Sequence, residues 1–178
     1  MRIAVLGRGN VGGALAATWS AQGHDVAVST RETIAETVGD REIVVLAVPA
    51  GAAENVLAQA GSLDGRILVD ATNNLSGGPD GLTIAALVPG ARVVKAFNTV
   101  FATFMHDTPP EPPASLVLCG DDVEAKETVG ELARAAGFEP VDAGGSEQTP
   151  IVEALARLVI GLAYRQGLGP LVYRLSSQ

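Results

Sequence analysis

Residues 2–12 read Arg-Ile-Ala-Val-Leu-Gly-Arg-Gly-Asn-Val-Gly: five residues of strand character, a glycine loop, and the first turn of a helical run. Gly7, Gly9 and Gly12 have the G-x-G-x-x-G spacing, and each glycine has a separate job. Gly7 permits the tight turn off the strand, Gly9 lets the backbone come close to a pyrophosphate, and Gly12 lets the helix pack closely on the sheet. The helix N-terminus offers unpaired N–H donors and a partial positive charge to an anion. A second strand follows after about twenty residues, the context that turns a glycine triplet into a dinucleotide-binding fingerprint.

Outward from this loop, short β-branched runs alternate with helix-like stretches at 2–6, 26–29, 43–47, 67–70, 92–96 and 116–119, a βαβ series. The unbroken apolar run IVVLAV at 43–48 predicts a strand buried on both faces. Right-handed crossovers then make a Rossmann-like doubly wound parallel sheet, an α/β fold, with the first five or six strands forming the nucleotide fold. Pro109, Pro110, Pro112 and Pro113 predict a stiff loop before the sixth strand. Asp121 or Asp122 is placed to cap a helix running toward Ala136, PVDAG at 140–144 is a candidate further strand, and an apolar helix is expected from Thr149 to Gln166. The expected organisation is one domain over 1–178, with a nucleotide-binding core over 1–105 and additional strands and a short C-terminal helical extension over 115–178.

Hydrophobic residues make up 47% of the 178 residues and aromatics only 4%, so the core must be built from Ala, Val, Leu and Ile. The net charge of −8 argues against a nucleic-acid or anionic-membrane surface, so any phosphate must be held locally. A lone cysteine, Cys119, excludes an internal disulfide, and no basic-then-apolar leader precedes the first strand. The stretch from Ile151 to Ala163 carries Glu153 and Arg157 and is shorter than the roughly 20 residues needed to cross a bilayer. A cytoplasmic protein without membrane insertion is expected. No His, Cys or carboxylate cluster has metal-ligand spacing, so no metal is expected.

The end of the second strand chooses between dinucleotides. NAD-binding folds place an acidic residue there for the ribose 2′-hydroxyl. This chain places Ser29, Thr30 and Arg31, a guanidinium with two hydroxyls, which suits the 2′-phosphate of NADP(H). Glu32 follows at once and is within reach of the ribose, and Arg31 also reads as a solvated surface charge. Asp25 stands at the wrong end of the strand to compete.

Ligands of open α/β sheets lie across the carboxyl ends of the strands, here the segments AVPAG, DATNNL and KAFNTVFA. Pro49 and Ala50 are expected to wall the nicotinamide, with Pro49 also starting the next helix. Asn73, Asn74, Lys95, Asn98 and Thr99 are the polar groups available to orient a ring. Each also has a structural reading: Asp70 and Asn73 as turn caps, Lys95 snorkelling from a strand end, Asn98 as a loop tie. His24 lies at the amino ends of the strands and His106 in a loop, so neither is a convincing acid or base. Cys119 reads as a small buried residue. Transfer of hydride between two ring cofactors needs stacking and alignment more than side-chain acid–base work.

The ordered set GRGNVG, Ser29-Thr30-Arg31, AVPAG, KAFNTVFA, CGDD and PVDAG resembles the NADPH-dependent coenzyme F420 reductases over nearly the whole chain. The likeness includes Glu153, Leu155 and the closing Gly167-Leu168-Gly169, and extends to the NADPH domains of six-transmembrane metalloreductases, most clearly in KAFNT. The resemblance implies that Arg8 to Val11, including Asn10, hold the pyrophosphate and that Thr30 and Arg31 hold the 2′-phosphate. It further implies that Pro49, Ala50, Leu75 and Ala102 touch the nicotinamide half, and that the deazaflavin stacks near Asn98 and Gly167–Gly169. Archaeal members tend to have His where Asn98 stands, and a Lys four places beyond the arginine is Ala35 here. A homodimer is the family's usual state, and the C-terminal helix is apolar on more than one face.

These readings predict an enzyme, an NADP(H)-dependent oxidoreductase passing a hydride between NADPH and coenzyme F420. A flavin, quinone or small carbonyl acceptor and a non-enzymatic NADP(H)-sensing module are the alternatives. Hydroxyacid and imine reductases add a large helical domain for which this chain has no residues left.

Overall fold

A computed structural model describes residues 1–75, 80–105 and 109–176. The order of elements is β1 (Arg2–Leu6), α1 (Asn10–Ala21), β2 (Asp25–Val28), α2 (Ile34–Val38), β3 (Ile43–Leu46), α3 (Ala53–Ala60), β4 (Ile67–Asp70), α4 (Gly81–Leu87) and β5 (Arg92–Lys95). Then come β6 (Ala114–Leu118), α5 (Val123–Ala135), β7 (Phe138–Asp142) and α6 (Thr149–Ile160), which runs on as a π-helical turn over Gly161–Arg165.

The first five strands form one parallel sheet in the order β2-β1-β3-β4-β5. Its register aligns Leu6 with Leu46, Leu46 with Asp70, and Asp70 with Lys95, so these strands end on one line. Alternation along each strand supplies both faces. Ile3, Val5, Val45 and Val69 meet Leu15 and Trp19 of α1, whereas Ala4, Leu6, Val44 and Leu68 meet Leu57 of α3 and Ile84 of α4. This is the Rossmann-like doubly wound arrangement expected from the apolar strands.

Trp19 is fully buried, donates from its indole Nε1 to the Leu132 carbonyl at 3.0 Å, and meets Phe97 edge-to-face at 5.7 Å. It joins α1 to α5, and the same core cluster continues through Leu116, Leu118 and Phe138. Replacing such a residue by Ala costs about 3–5 kcal/mol.

The sixth strand departs from the simplest extension of the series. β6 does not extend the five-stranded sheet; it pairs in parallel with β7 as a separate two-stranded sheet. Among the described residues, the backbone link to β5 is an antiparallel bridge at Cys119, just past the end of β6, with Lys95 N–H donating to the Cys119 carbonyl at 2.9 Å and Cys119 N–H to the Lys95 carbonyl at 3.1 Å. The physical reason lies in the connection. A parallel neighbour needs a crossover, usually helical, whereas the described residues between β5 and β6 hold one turn of 3-10 helix at Ala102–Phe104. Gly120 makes the close approach possible, because a Cβ there would stand 2.5 Å from the Val93 carbonyl oxygen.

Asp122 is the residue that caps α5, its carboxylate accepting from Ala125 N–H at 2.8 Å. The helix predicted to Gln166 keeps its α geometry to Ile160 and then widens.

Candidate functional site

The strand order reverses between β1 and β3, and a crevice opens at their carboxyl ends, where open α/β sheets take ligands. Gly7 lies on one side with φ +115°, and a Cβ on it would come within 2.3 Å of the Ala47 carbonyl oxygen. Gly12 is equally confined, since its Cβ would meet the Gly7 carbonyl oxygen at 2.1 Å. Gly9 is different: a Cβ there meets nothing within 4 Å. The space above the loop is open, and Gly9 is also the N-cap of the twelve-residue α1, with no side chain capping the helix and no acidic residue in its first turn. These features fit a pyrophosphate, whose oxygens accept from helix N–H groups.

Three cavities adjoin along the strand ends. The first, about 530 Å³, lies between Gly7, Arg8, Ser29, Thr30, Arg31 and Glu32 on one side and Val48, Pro49, Ala52 and Val56 on the other. The second, about 250 Å³, shares Val48 and Pro49 with it and is closed by Gly9, Asn10, Val11, Ala71, Thr72 and Asn73. The third, about 340 Å³, shares Asn10, Val11 and Asn73 with the second and continues over Leu75, Asn98, Thr99, Phe101 and Ala102 to Val159, Ile160, Tyr164 and Pro170.

The loop after β2 shapes the first cavity. Thr30 N–H donates to the Thr33 hydroxyl at 2.9 Å, and Glu32 N–H donates to the Thr30 hydroxyl at 3.3 Å. The Thr30 hydroxyl in turn holds the Glu32 carboxyl below its usual range, with smaller help from the Glu32 backbone N–H and from Arg31 and Arg8. Two guanidinium groups therefore face one ionised carboxylate, leaving this end of the groove locally positive in a chain of net charge −8. Asp25 sits at the start of β2 and pairs with Arg41 at 3.1 Å; His24, beside it, meets the N-terminal amine.

Among the described residues, the third cavity is lined by no charged side chain. Asn73 and Asn98 tie the ends of β4 and β5 together, and the Asn98 Oδ1 is the buried side-chain polar atom without a partner among the described residues. Phe97, fully buried, has φ +64°. A bulky residue held in the left-handed region marks a position fixed by its surroundings and is frequent at ligand clamps. The Thr99 hydroxyl meets the Tyr173 hydroxyl at 2.7 Å, and burial pushes the Tyr173 phenol up. Phe101 and Tyr164 meet edge-to-face at 5.8 Å across the mouth.

The structure therefore brings Gly7 to Val11, Ser29 to Arg31, Pro49, Asn73, Leu75, Asn98, Thr99 and Ala102 onto one groove. Ala50 lies behind it, buried at the start of a 3-10 turn that leads into α3. Lys95 does not line the groove; its ammonium turns inward to Asp70 at 2.9 Å and Glu153 at 3.0 Å. Asn74 and Gly167 to Gly169 are not among the lining residues, the last because the chain closes the π-helical turn there through Gly169 N–H to the Ala163 carbonyl at 3.1 Å. Tyr164 and Pro170, on either side of that triplet, reach the cavity instead. Phe101 falls within the KAFNTVFA segment expected at the strand ends, whereas Val159, Ile160 and Tyr164 are additions for which the apolar spacing of the last helix is the one signal. His106 lies outside the described residues. Burial raises the Cys119 thiol, which sits 3.6 Å from the Thr149 hydroxyl and keeps its proton.

Residues 31–74 match the model of the family described as NADP oxidoreductase, coenzyme F420-dependent. The chain is 31% identical over 175 residues to Metalloreductase STEAP3 of Rattus norvegicus, covering 86% of this chain and 36% of that protein. It is 35% identical over 89 residues to the F420-dependent NADP reductase of Methanocaldococcus jannaschii, covering 47% of this chain and 40% of that protein. The matches thus span well under half the length of these curated relatives. Among solved structures, one from Arthrobacter sp. FB24, provisionally described as an F420-dependent NADP reductase, superposes with a TM-score of 0.88 at 26% identity, covering 99% of this chain and 100% of that one. The resemblance read from the motifs is borne out.

Proposed function

From the kinship of this chain with the coenzyme F420-dependent NADP oxidoreductases, we propose that it binds NADP(H) along the strand-end groove and passes a hydride between NADPH and coenzyme F420. The observation that carries the reading is the run of three adjoining cavities, positive at one end and neutral and aromatic at the other. Thr30 and Arg31 bind the 2′-phosphate with Arg8 beside them in the same cavity, the glycine loop and the N–H groups at the start of α1 bind the pyrophosphate, and Pro49 with Thr72 and Asn73 walls the nicotinamide. Tyr164, Phe101 and the paired asparagines align the acceptor ring over it.

Bound there, NADPH supplies the hydride from C4 of its dihydronicotinamide, leaving NADP+, and the deazaflavin takes that hydride with one proton from solvent. The protein's contribution is alignment and exclusion of water, so no side chain is asked to carry a proton. A homodimer is part of the same reading, supported by Ile151 and Leu158, which are 65% and 59% exposed one helical face apart from the core on α6. A cytoplasmic location fits the reading, and no helix among the described residues is long and apolar enough to cross a membrane.

The test mixes purified protein with NADPH and coenzyme F420 and follows loss of the oxidised deazaflavin's visible absorbance, with NADH and free FMN as parallel arms. Bleaching with NADPH and F420 alone is expected. Bleaching with FMN or a quinone in its place would move the reading to another acceptor. Tight NADPH binding with no acceptor reduced would make the chain an NADP(H)-sensing module.

A further inference from the structure

A buried ionic cluster outside the groove joins four elements. Lys95, the last residue of β5, places its Nζ 2.9 Å from Asp70 Oδ2 at the end of β4, 3.0 Å from Glu153 Oε1 on α6, and 2.8 Å from the Thr72 carbonyl oxygen. Asp70 Oδ1 accepts from Thr72 N–H at 2.9 Å and from the Thr72 hydroxyl at 2.7 Å. Glu153 Oε1 also accepts from Gly81 N–H, at the start of α4, at 2.9 Å. All three ionisable side chains are buried. Charges removed from water are tolerated only when the geometry satisfies them, so such a cluster enforces one arrangement of the segments that carry it.

Gly81 shows how tight that arrangement is. A Cβ there would stand 2.5 Å from Thr149 Cγ2 and 3.2 Å from Asp70 Oδ2, so α4 and α6 meet at this point only through a glycine.

Two of the joined segments lead straight to the groove. The chain leaving Asp70 passes Thr72 and Asn73, which wall the second cavity, and α6 runs from Glu153 to Val159, Ile160 and then Tyr164, which wall the third. We propose that Asp70, Lys95 and Glu153 form a positioning clamp that sets the acceptor wall on α6 at a fixed distance from the nicotinamide floor after β4. The proposal rests on the reading of the third cavity as the acceptor site. Hydride transfer is steeply sensitive to such a distance, a displacement of about 1 Å being enough to slow a reaction roughly a hundredfold.

The test uses single-turnover kinetics, titration and amide hydrogen exchange on the full chain. Glu153→Ala breaks the clamp chemically, and Gly81→Ala forces α4 and α6 apart without removing a charge. Both are expected to keep the NADPH Kd within about twofold while slowing hydride transfer roughly ten- to a hundredfold and raising the acceptor KM. Glu153→Gln, which retains an oxygen for Gly81 N–H and Lys95, is expected to fold and to recover most of the rate. Ala154→Gly, exposed on the same helix, loosens α6 generally and should lower Tm without slowing transfer. Equal slowing by Ala154→Gly, or unchanged rates in the two clamp variants, would overturn the proposal. If the wild-type chain reduces no acceptor, the acceptor reading falls, and hydrogen exchange still decides the clamp. Glu153→Ala should then speed exchange in residues 71–75 and 159–165 together while Glu153→Gln stays near wild type, and a change in Glu153→Ala confined to 159–165 would refute the coupling.

Discussion

Asn73 and Asn98 hold each other across the ends of β4 and β5: Asn73 Nδ2 donates to the Asn98 carbonyl at 2.8 Å, and Asn98 Nδ2 donates to Asn73 Oδ1 at 3.3 Å. The pairing leaves Asn98 Oδ1 buried and without a partner among the described residues. A buried acceptor left over in this way is most simply matched by a donor on a bound ring. Asn98→Ala keeps the stronger bond, because that one ends on the backbone, and it removes an unsatisfied oxygen. We expect stability to change by less than about 1 kcal/mol, the worth of one ordinary hydrogen bond, while kcat/KM for the acceptor falls about tenfold. Thermal melts and steady-state kinetics on the same preparation check it; a large Tm loss with unchanged kcat/KM would make Asn98 purely structural.

Arg31 and Arg8 share the first cavity with Glu32. Arg31→Ala should weaken NADPH binding by roughly 1.5–3 kcal/mol, the range for hydrogen bonds to charged groups, and spare NADH. Calorimetric titration with both nucleotides decides; equal weakening of the two would place the 2′-phosphate elsewhere.

Gly9 and Gly12 belong to one fingerprint and face opposite constraints. Gly9→Val should leave Tm near wild type, because among the described residues nothing beyond its chain neighbours lies within 4 Å of the new Cβ, yet abolish measurable NADPH binding by filling the pyrophosphate's approach. Gly12→Ala should instead destabilise the fold, its Cβ falling 2.1 Å from the Gly7 carbonyl oxygen. Unchanged NADPH affinity in Gly9→Val would remove the phosphate-loop assignment.

Asp122 joins two tasks, capping α5 and accepting two bonds of 2.9 Å from Arg92. Arg92 first, and then the Ala125 N–H, hold its carboxyl below the usual aspartate range. A carboxyl with a lower pKa folded than unfolded stabilises the fold above its unfolded pKa, and that contribution is lost as pH falls through the folded value. Asp122→Asn keeps a capping oxygen and removes the charge. Its Tm should lie below wild type at neutral pH, and the gap should close as the pH drops below the ordinary aspartate range. A gap independent of pH would show that the charge contributes nothing.

Ile151 and Leu158 stand exposed on α6. Leu158→Glu should convert a dimer to a monomer in sedimentation velocity without altering the Tm extrapolated to low concentration. A wild-type chain that sediments as a monomer would remove the dimer from the reading.

The amino-acid sequence by itself determined whatever rests on neighbouring residues. Gly7, Gly9 and Gly12 announce a strand, a turn and a helix because backbone conformation and close approach are set within a few residues, and the buried central strands β1, β3 and β4 follow from their apolar runs. Ser29 to Arg31 fall at the end of β2 for the same local reason, and so does the cap at Asp122.

Tertiary structure alone decided the rest. Nothing near Cys119 tells that β6 meets β5 antiparallel at one bridge, since that depends on how the connecting chain returns. Lys95 reads equally well as a ligand group or a snorkelling side chain until α6 brings Glu153 to it from 58 positions away, Glu153 minus Lys95 in the numbering. The same return places Tyr164 beside Phe101 and turns Gly167 to Gly169 aside. Periodicity records which face of an element is apolar; it does not record which distant element that face will meet, because the choice is made by packing and charge pairing across the whole fold.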